Sequence, residues 1–289
     1  IENDSLLKKI AKNAQWIDSI KPNPSINDLE NELKKQSKQK VEAIIAFGGG
    51  SSIDSAKAIA AGLSAELAEK SLYKLIENPN AFLTKSLIPL YAIPTTAGTG
   101  SEVTPYSTIW DYHNERKLSL YHEYLYPKFA IIDPELTYDL PSNVTASSGL
   151  DALNQAFESI WNKNKTPFST FTASRSIKLA MEALPRLNKN LKDKEARKLI
   201  AQASLFAGFA ISQTRTAICH SISYPLTAKF GIPHGLACAF TMYSVAKKVN
   251  DYQPNCFADV IMEMNLNSSK LLLNKIKNIV DIFKVNDEI

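Results

Sequence analysis

Cysteine is scarce in this chain. Only Cys219, Cys238 and Cys256 occur in 289 residues, and no Cys-x-x-Cys spacing is present. An odd, scattered set of thiols excludes a disulfide framework and fits a reducing compartment, so a cytoplasmic location is expected. No apolar run reaches the roughly 18 residues of a membrane span, and the opening Ile1-Glu2-Asn3-Asp4 does not resemble a signal peptide. Ile1 is not a start methionine, so a preceding N-terminal segment is expected. Charge of one sign is also lacking: 33 Lys and Arg stand against 29 Asp and Glu, a net charge of +4. The lysines near 34–40, 189–198 and 270–277 are interleaved with acids in helix-like stretches and read as solvated helix faces. Neither a nucleic acid nor a membrane is an expected partner. Internal repeats and low-complexity linkers are absent.

What is present is an ordinary globular composition, 45% hydrophobic and 21% charged. It excludes global disorder and fibrous architectures. The length allows two domains or one large one. Apolar residues at helical spacing predict a helix over 5–18, stopped by Lys21-Pro22-Asn23-Pro24-Ser25. A polar-faced helix is expected over 26–39, a buried strand over Val41–Phe47 and a helix over 52–63. A second buried strand is expected over Leu87–Ile93, with further strands at Ser107–Trp110, Lys117–Leu120 and Ala130–Ile132. Beyond Asp139-Leu140-Pro141-Ser142 the periodicity is helical almost throughout, for example over 144–161, 168–184 and 194–212. The fold class expected is therefore an α/β nucleotide-binding domain, Rossmann-like with a mostly parallel sheet, over residues 1–140, followed by an all-α domain over 141–289.

Two turns carry binding chemistry. Phe47-Gly48-Gly49-Gly50-Ser51-Ser52-Ile53-Asp54 is a strand end, a glycine turn and a helix start. Glycine permits close approach of the backbone to a ligand, and the helix N-terminus presents free N–H groups and a positive dipole end to a pyrophosphate. The pattern is neither Gly-x-Gly-x-x-Gly nor a P-loop, and a turn that only packs helix on sheet is the alternative. Pro94-Thr95-Thr96-Ala97-Gly98-Thr99-Gly100-Ser101-Glu102 follows the next strand and is rich in small donors. In α/β sheets ligands lie at the carboxyl ends of strands, so the two turns suit one nucleotide crevice.

Only four histidines occur. His113 and His122 fall in a polar, hairpin-like region and are expected at the surface. His220 and His234 lie among small and apolar residues. Asp151 is expected to open a helix at Gly149-Leu150-Asp151-Ala152-Leu153, with Gln155 one turn later on the same face. A carboxylate with imidazoles is a usual shell for zinc or ferrous iron, although buried histidines are also ordinary core residues.

Together these segments resemble the iron-containing (group III) alcohol dehydrogenase family. The likeness runs from Trp16-Ile17-Asp18 to at least Pro233-His234-Gly235, most of the chain. It implies NAD(P)-dependent interconversion of an alcohol and an aldehyde by a protein that is often a homodimer. It further implies cofactor contacts from Gly49, Gly50, Ser51, Asp54, Thr95, Thr96, Thr99, Ser101, Lys117 and Leu136. A divalent Fe or Zn ion is implied at Asp151, His220, His234 and the position of Gln155. N-terminal strands of the family's first domain are expected to be missing, and Ile289 ends the chain earlier than a full helical domain of the family.

The sequence departs from the family at two positions. Gln155 stands where the family places histidine; a neutral amide oxygen binds late divalent metals more weakly, so Gln155 is a weak ligand or is replaced by water. Tyr224 stands where many members carry a histidine near the nicotinamide, and either relays a proton or lines the pocket. The segments Asp151–Trp161 and His220–Leu226 look like the phosphonoacetaldehyde reductase branch. Arg215, five residues before His220, suits a bidentate pair with a phosphonate, or is a surface or helix-capping arginine. The rival readings are a dehydrogenase of uncharged alcohols, a glycerol-type polyol dehydrogenase and a non-catalytic nucleotide-binding derivative.

Overall fold

The structure, a computed structural model of the chain, describes residues 14–65 and 71–285. The helix expected over 5–18 lies mainly outside the described residues, and 14–18 have no regular structure. Helix α1 spans Ile26–Gln36. Ser25 caps it by accepting from the Asp28 amide, Asp28 sits in its first turn, and Lys34 and Lys35 in its last, each complementing the helix dipole. It buries Ile26, Leu29 and Leu33 and ends three residues short of the expected 39.

Strand β1 (Ile44–Gly48) pairs in parallel with β2 (Leu90–Pro94), and β2 pairs in parallel with the two-residue β5 (Phe129–Ala130). The order β1-β2-β5 makes β1 an edge among the described residues. The expectation of a buried first strand is thereby corrected: Ile45 is 60% exposed, and within β1 only Ala46 is buried. A continuous apolar run reports strand propensity but not how many neighbours cover it. Strands β3 (Tyr106–Asp111) and β4 (Arg116–Tyr121) form a separate antiparallel hairpin. Helix α2 (Gly50–Ser64) is buried nearly all round, from Ile53 through Ala58, Ala60 and Ala61. It packs against β1, β2 and β3. Two short helices, α3 (Leu72–Glu77) and α4 (Pro79–Phe82), lead into β2.

The remaining elements are helices: α5 (Ser142–Ile160), α6 (Pro167–Lys189), α7 (Lys194–Thr214), α8 (Ile218–Phe230), α9 (His234–Tyr252), α10 (Ala258–Glu263) and α11 (Ser269–Ile282). Helix α6 opens with a reciprocal capping box between Thr166 and Ser169 and with Pro167 at its first position. Helix α5 is the axis of this half: Gly149 to Ile160 are all buried, and α6, α7 and α9 pack around it. One apolar core joins these helices, from Leu150 and Phe157 to Ile276 and Val285. Two smaller cores lie under the strands. The fold is a Rossmann-like parallel sheet followed by a helical array. Among the described residues no helix is long and apolar enough to cross a membrane.

Candidate functional site

Gly48 and Pro94, the last residues of β1 and β2, are register partners, so both polar turns open at the same end of the sheet. There a cleft of about 780 Å³ is lined by Gly49, Gly50, Ser51, Thr96, Thr99 and Ser101 on the sheet side. The helical side contributes Asp151, Gln155, His220, Tyr224 and His234. Gly49 caps α2 without a side-chain hydrogen bond, which leaves the N-terminus of this 15-residue helix open to an anion. A Cβ on Gly50 would lie 2.5 Å from Thr99 Cγ2, so glycine there is what lets the two turns meet.

Asp151 is not at a helix start, as expected from the sequence, but in the middle of α5, in its buried section. His220 comes from the first turn of α8 and His234 from the first residue of α9. His220 Nε2 lies 3.2 Å from Asp151 Oδ1 and His234 Nε2 lies 4.0 Å from the same oxygen. Gly235 permits this approach: a Cβ there would fall 1.8 Å from the Ser147 carbonyl oxygen of α5. Cys238, one turn along α9, brings its Sγ to 3.8 Å from His234 Nε2. The donor atoms of Asp151, His220, His234 and Cys238 all lie within 4.8 Å of one another. Gln155 donates through Nε2 to the Thr99 carbonyl at 3.4 Å, while its Oε1 is buried without a partner. This set of nitrogen, oxygen and sulfur donors, with an orphaned amide oxygen beside it, fits a divalent zinc or ferrous ion.

Comparison with known proteins follows the same two halves. The model of "Iron-containing alcohol dehydrogenase" matches residues 3–134, and that of "Fe-containing alcohol dehydrogenase family, C-terminal" matches 145–284. This chain belongs to the iron-containing alcohol dehydrogenase family. It is 38% identical over 205 residues to the phosphonoacetaldehyde reductase of Streptomyces viridochromogenes, a match covering 70% of this chain and 52% of that protein. The chain therefore spans about half the length of that relative. It is 32% identical to the NADPH-dependent butanol dehydrogenase of Clostridium saccharobutylicum, over 95% of this chain and 70% of the relative. The crystal structure of the sulfoacetaldehyde reductase from Bifidobacterium kashiwanohense in complex with NAD+ superposes with a TM-score of 0.88 at 30% identity, covering 97% of this chain and 74% of that one.

In this member of the family, burial alone would raise the Asp151 carboxyl, but the His220 hydrogen bond and both imidazoles outweigh burial and hold it below the ordinary carboxylate range. Burial would lower His220, yet the charge of an ionised Cys238 and the bonds to Asp151, Cys238 and Glu158 raise it well above the usual imidazole value.

Glu158 was not singled out from the sequence. Its fully buried carboxylate accepts from His220 Nδ1 at 2.6 Å and from the Ala217 amide at 2.8 Å. It also accepts from the Cys219 and His220 amides. It therefore caps α8 from outside and fixes the His220 ring with Nε2 toward Asp151. The available signal was spacing: Asp151, Gln155 and Glu158 share one face of α5. Replacing Glu158 with Gln is expected to weaken metal binding about 10–100-fold, measured by chelator competition, with far-UV circular dichroism unchanged. Unaltered affinity would remove Glu158 from the site.

Other expected contacts divide. Lys117, on β4, lines the cleft and sets its Nζ 4.3 Å from the centroid of the Tyr224 ring. Ser101 and Asp54 line the cleft, but they bond to each other, and Asp54 Oδ2 also accepts from the Thr108 amide at 2.9 Å. Thr95 and Leu136 are not among the lining residues: the Thr95 amide bonds the Gly48 carbonyl, and Leu136 sits in a 3₁₀ turn over Pro134–Thr137. His113 is exposed as expected, but His122 is buried, its ring 4.7 Å from that of Tyr124.

Arg215 lines the same cleft from the end of α7, its guanidinium 4.6 Å from the Tyr121 ring centroid. Its backbone, at φ 63° and ψ 179°, lies in a region almost reserved for glycine. Among the described residues no carboxylate forms an ion pair with it.

Proposed function

We propose that this chain carries the site of a metal-assisted, NAD(P)H-dependent reductase that converts an aldehyde with an acidic tail to a primary alcohol, with phosphonoacetaldehyde going to 2-hydroxyethylphosphonate. The observation that carries the acidic substrate is Arg215: a cation without an ion-pair partner among the described residues, held in a strained backbone, facing the cleft that contains the Asp151 cluster. Strain of about 1–3 kcal/mol persists where the surroundings over-determine a residue, which is common at ligand clamps. The family relatives that act on phosphonoacetaldehyde and sulfoacetaldehyde support the reading.

In this proposal residues 1–140 bind the nucleotide and 141–289 hold the metal. The open N-terminus of α2 and the hydroxyls of Thr96 and Thr99 receive the pyrophosphate. Asp151, His220 and His234 hold the ion, zinc or ferrous iron. When bound, the metal supplies Lewis-acid polarisation of the aldehyde oxygen and the nicotinamide supplies the hydride. Arg215 pairs with the acidic end of the substrate and so orients its carbonyl toward the Asp151 cluster. Tyr224, whose ring stacks 6.5 Å from that of His234, donates the proton to the developing alcohol, and Lys117, its Nζ 4.3 Å from the ring centroid, packs over the Tyr224 ring. Three buried free thiols fit the cytoplasm proposed for the protein, and a homodimer is proposed, to be checked by light scattering.

The test is NADH and NADPH oxidation by the metal-loaded, full-length protein with phosphonoacetaldehyde, sulfoacetaldehyde and propanal. Selective turnover of the phosphonate is expected. Arg215→Ala is expected to raise KM for the phosphonate about 10–100-fold, the worth of a lost charge-assisted hydrogen bond, and to leave KM for propanal nearly unchanged. Equal effects on both substrates would discard the anionic substrate and keep the reductase.

A further inference from the structure

We propose that Cys238 is a metal ligand of this protein: its thiolate, with Asp151, His220 and His234, makes a four-donor site, and Gln155 is a positioning residue beside it. The inference rests on the metal-dependent reading above and names the donor that reading leaves open.

Three observations converge on the thiol. The first is placement. Cys238 follows His234 by one helical turn, so both side chains leave the same face of α9 toward α5, and Cys238 is wholly buried. The second is distance. A tetrahedral ion with bonds of about 2.0–2.3 Å separates its donors by roughly 3.3–3.8 Å. The pairs His220–Asp151, His234–Asp151 and Cys238–His234 stand at 3.2, 4.0 and 3.8 Å, and the four donor atoms fall within 4.8 Å of one another. Side-chain shifts of a few tenths of an ångström to about one ångström close the shell.

The third is charge. Asp151 alone neutralises half of a divalent ion. With a neutral amide as fourth donor, one positive charge would stay uncompensated in a buried site, which is costly. A thiolate removes that excess. The Glu158 charge is met separately by the amides at the start of α8. Gln155 is meanwhile engaged through its amide nitrogen with the Thr99 carbonyl, which ties α5 to the polar turn after β2. On metal binding the Cys238 thiol releases its proton to solvent and the sulfur lone pair forms the metal bond. A sulfur donor also favours zinc over ferrous iron, because thiolate is the softer ligand.

The experiment titrates the metal-free, full-length protein with cobalt(II) and records zinc X-ray absorption on the zinc-loaded form. The expected result for the wild type is one equivalent of cobalt with an intense near-ultraviolet thiolate-to-cobalt band, and a sulfur scatterer at about 2.3 Å from zinc. Cys238→Ser loses the band and binds cobalt at least about tenfold more weakly, since a direct ligand is worth no less than its orienting partner. Gln155→Ala keeps the band and loses less affinity than Cys238→Ser. One equivalent of cobalt bound by the wild type without the band, or a band that survives Cys238→Ser, overturns the proposal and leaves the metal-dependent function standing. Failure of the wild type to bind cobalt at all overturns both. The wild-type spectrum decides the matter even where a variant folds poorly.

Discussion

Asp151→Asn is expected to abolish retention of the metal and to lower kcat by at least about 10³-fold, for anionic and neutral aldehydes alike. The reasoning starts from position. Asp151 is the sole carboxylate of the donor cluster, and one of its oxygens is the point on which both imidazoles converge, at 3.2 and 4.0 Å. Asparagine keeps the volume and one oxygen in a site where Asp151 is 4% exposed, so the packing of α5 against α9 survives. What goes is the charge. Lewis-acid stabilisation is worth several kcal/mol, and 1.36 kcal/mol corresponds to one decade of rate, hence about three decades or more. Metal content by mass spectrometry and single-turnover oxidation of the reduced cofactor measure the two effects separately. Under the proposed function the contrast with Arg215 is diagnostic: Asp151→Asn is expected to act on every aldehyde, Arg215→Ala on the acidic ones. A variant that keeps one equivalent of metal and more than about a tenth of the wild-type rate would show that the charge of Asp151 is not what holds the ion.

Much of this architecture was legible along the chain, for reasons that are local. The Gly48-Gly49-Gly50 turn stands out because three glycines between an apolar run and a helical period serve only close approach or positive φ. The passage from strands to helices near Pro141 was visible because periods of 2 and 3.6 residues are properties of the sequence itself. The donors Asp151, His220 and His234 were expected, and the structure brings them together. What escaped is what depends on elements crossing. Glu158 shares a face of α5 with Asp151 and Gln155, but it acquires its role only because residues 217–220 arrive over the second half of that helix, a tertiary fact that spacing alone does not show. Cys238 follows His234 by four residues on α9, a spacing readable along the chain, but nothing local marks that face as the one turned toward Asp151. The polar neighbourhood of His122 suggested exposure, yet the β3–β4 hairpin folds it inward against Tyr124. Exposed Ile45 failed in the opposite sense, since burial of a strand is decided by its neighbours in the sheet.

Lys57→Met is expected to cost about 3–5 kcal/mol in stability, the size typical of breaking a buried charge cluster by removing one partner. Lys57 lies on α2 with its side chain fully buried. Its ammonium donates to the Thr104 carbonyl at 2.7 Å, the Tyr106 carbonyl at 2.8 Å and Ser101 Oγ at 3.2 Å. It thereby fastens the whole segment after the Thr99 turn, and the start of β3, onto the helix that begins the glycine turn. Burial pushes the Lys57 ammonium down to about 8 despite the pull of the Asp54 and Glu102 carboxylates. Burial pushes both carboxyls up, against the pull of Lys57. Methionine fills similar volume but removes the donor to two carbonyls and takes away the nearest counter-charge of Asp54 and Glu102. The pH dependence has a definite sign. Between about 8 and the ordinary lysine value the unfolded chain holds a proton on Lys57 that the folded chain has released, so this residue makes stability rise with pH across that window. The stability gap between wild type and Lys57→Met, from urea unfolding followed by circular dichroism, should therefore widen as pH rises above about 8. Because Lys57 does not line the cleft proposed to hold the nucleotide, cofactor affinity should weaken only through loosening of the Thr96–Thr99 turn, and saturating cofactor should recover part of the lost stability. A cost below about 1 kcal/mol would mean that the segment from Ser101 to Tyr106 finds other donors, and that the Ser101–Asp54 bond, the Thr95–Gly48 bond and the Gly50–Thr99 contact hold the two turns together without Lys57.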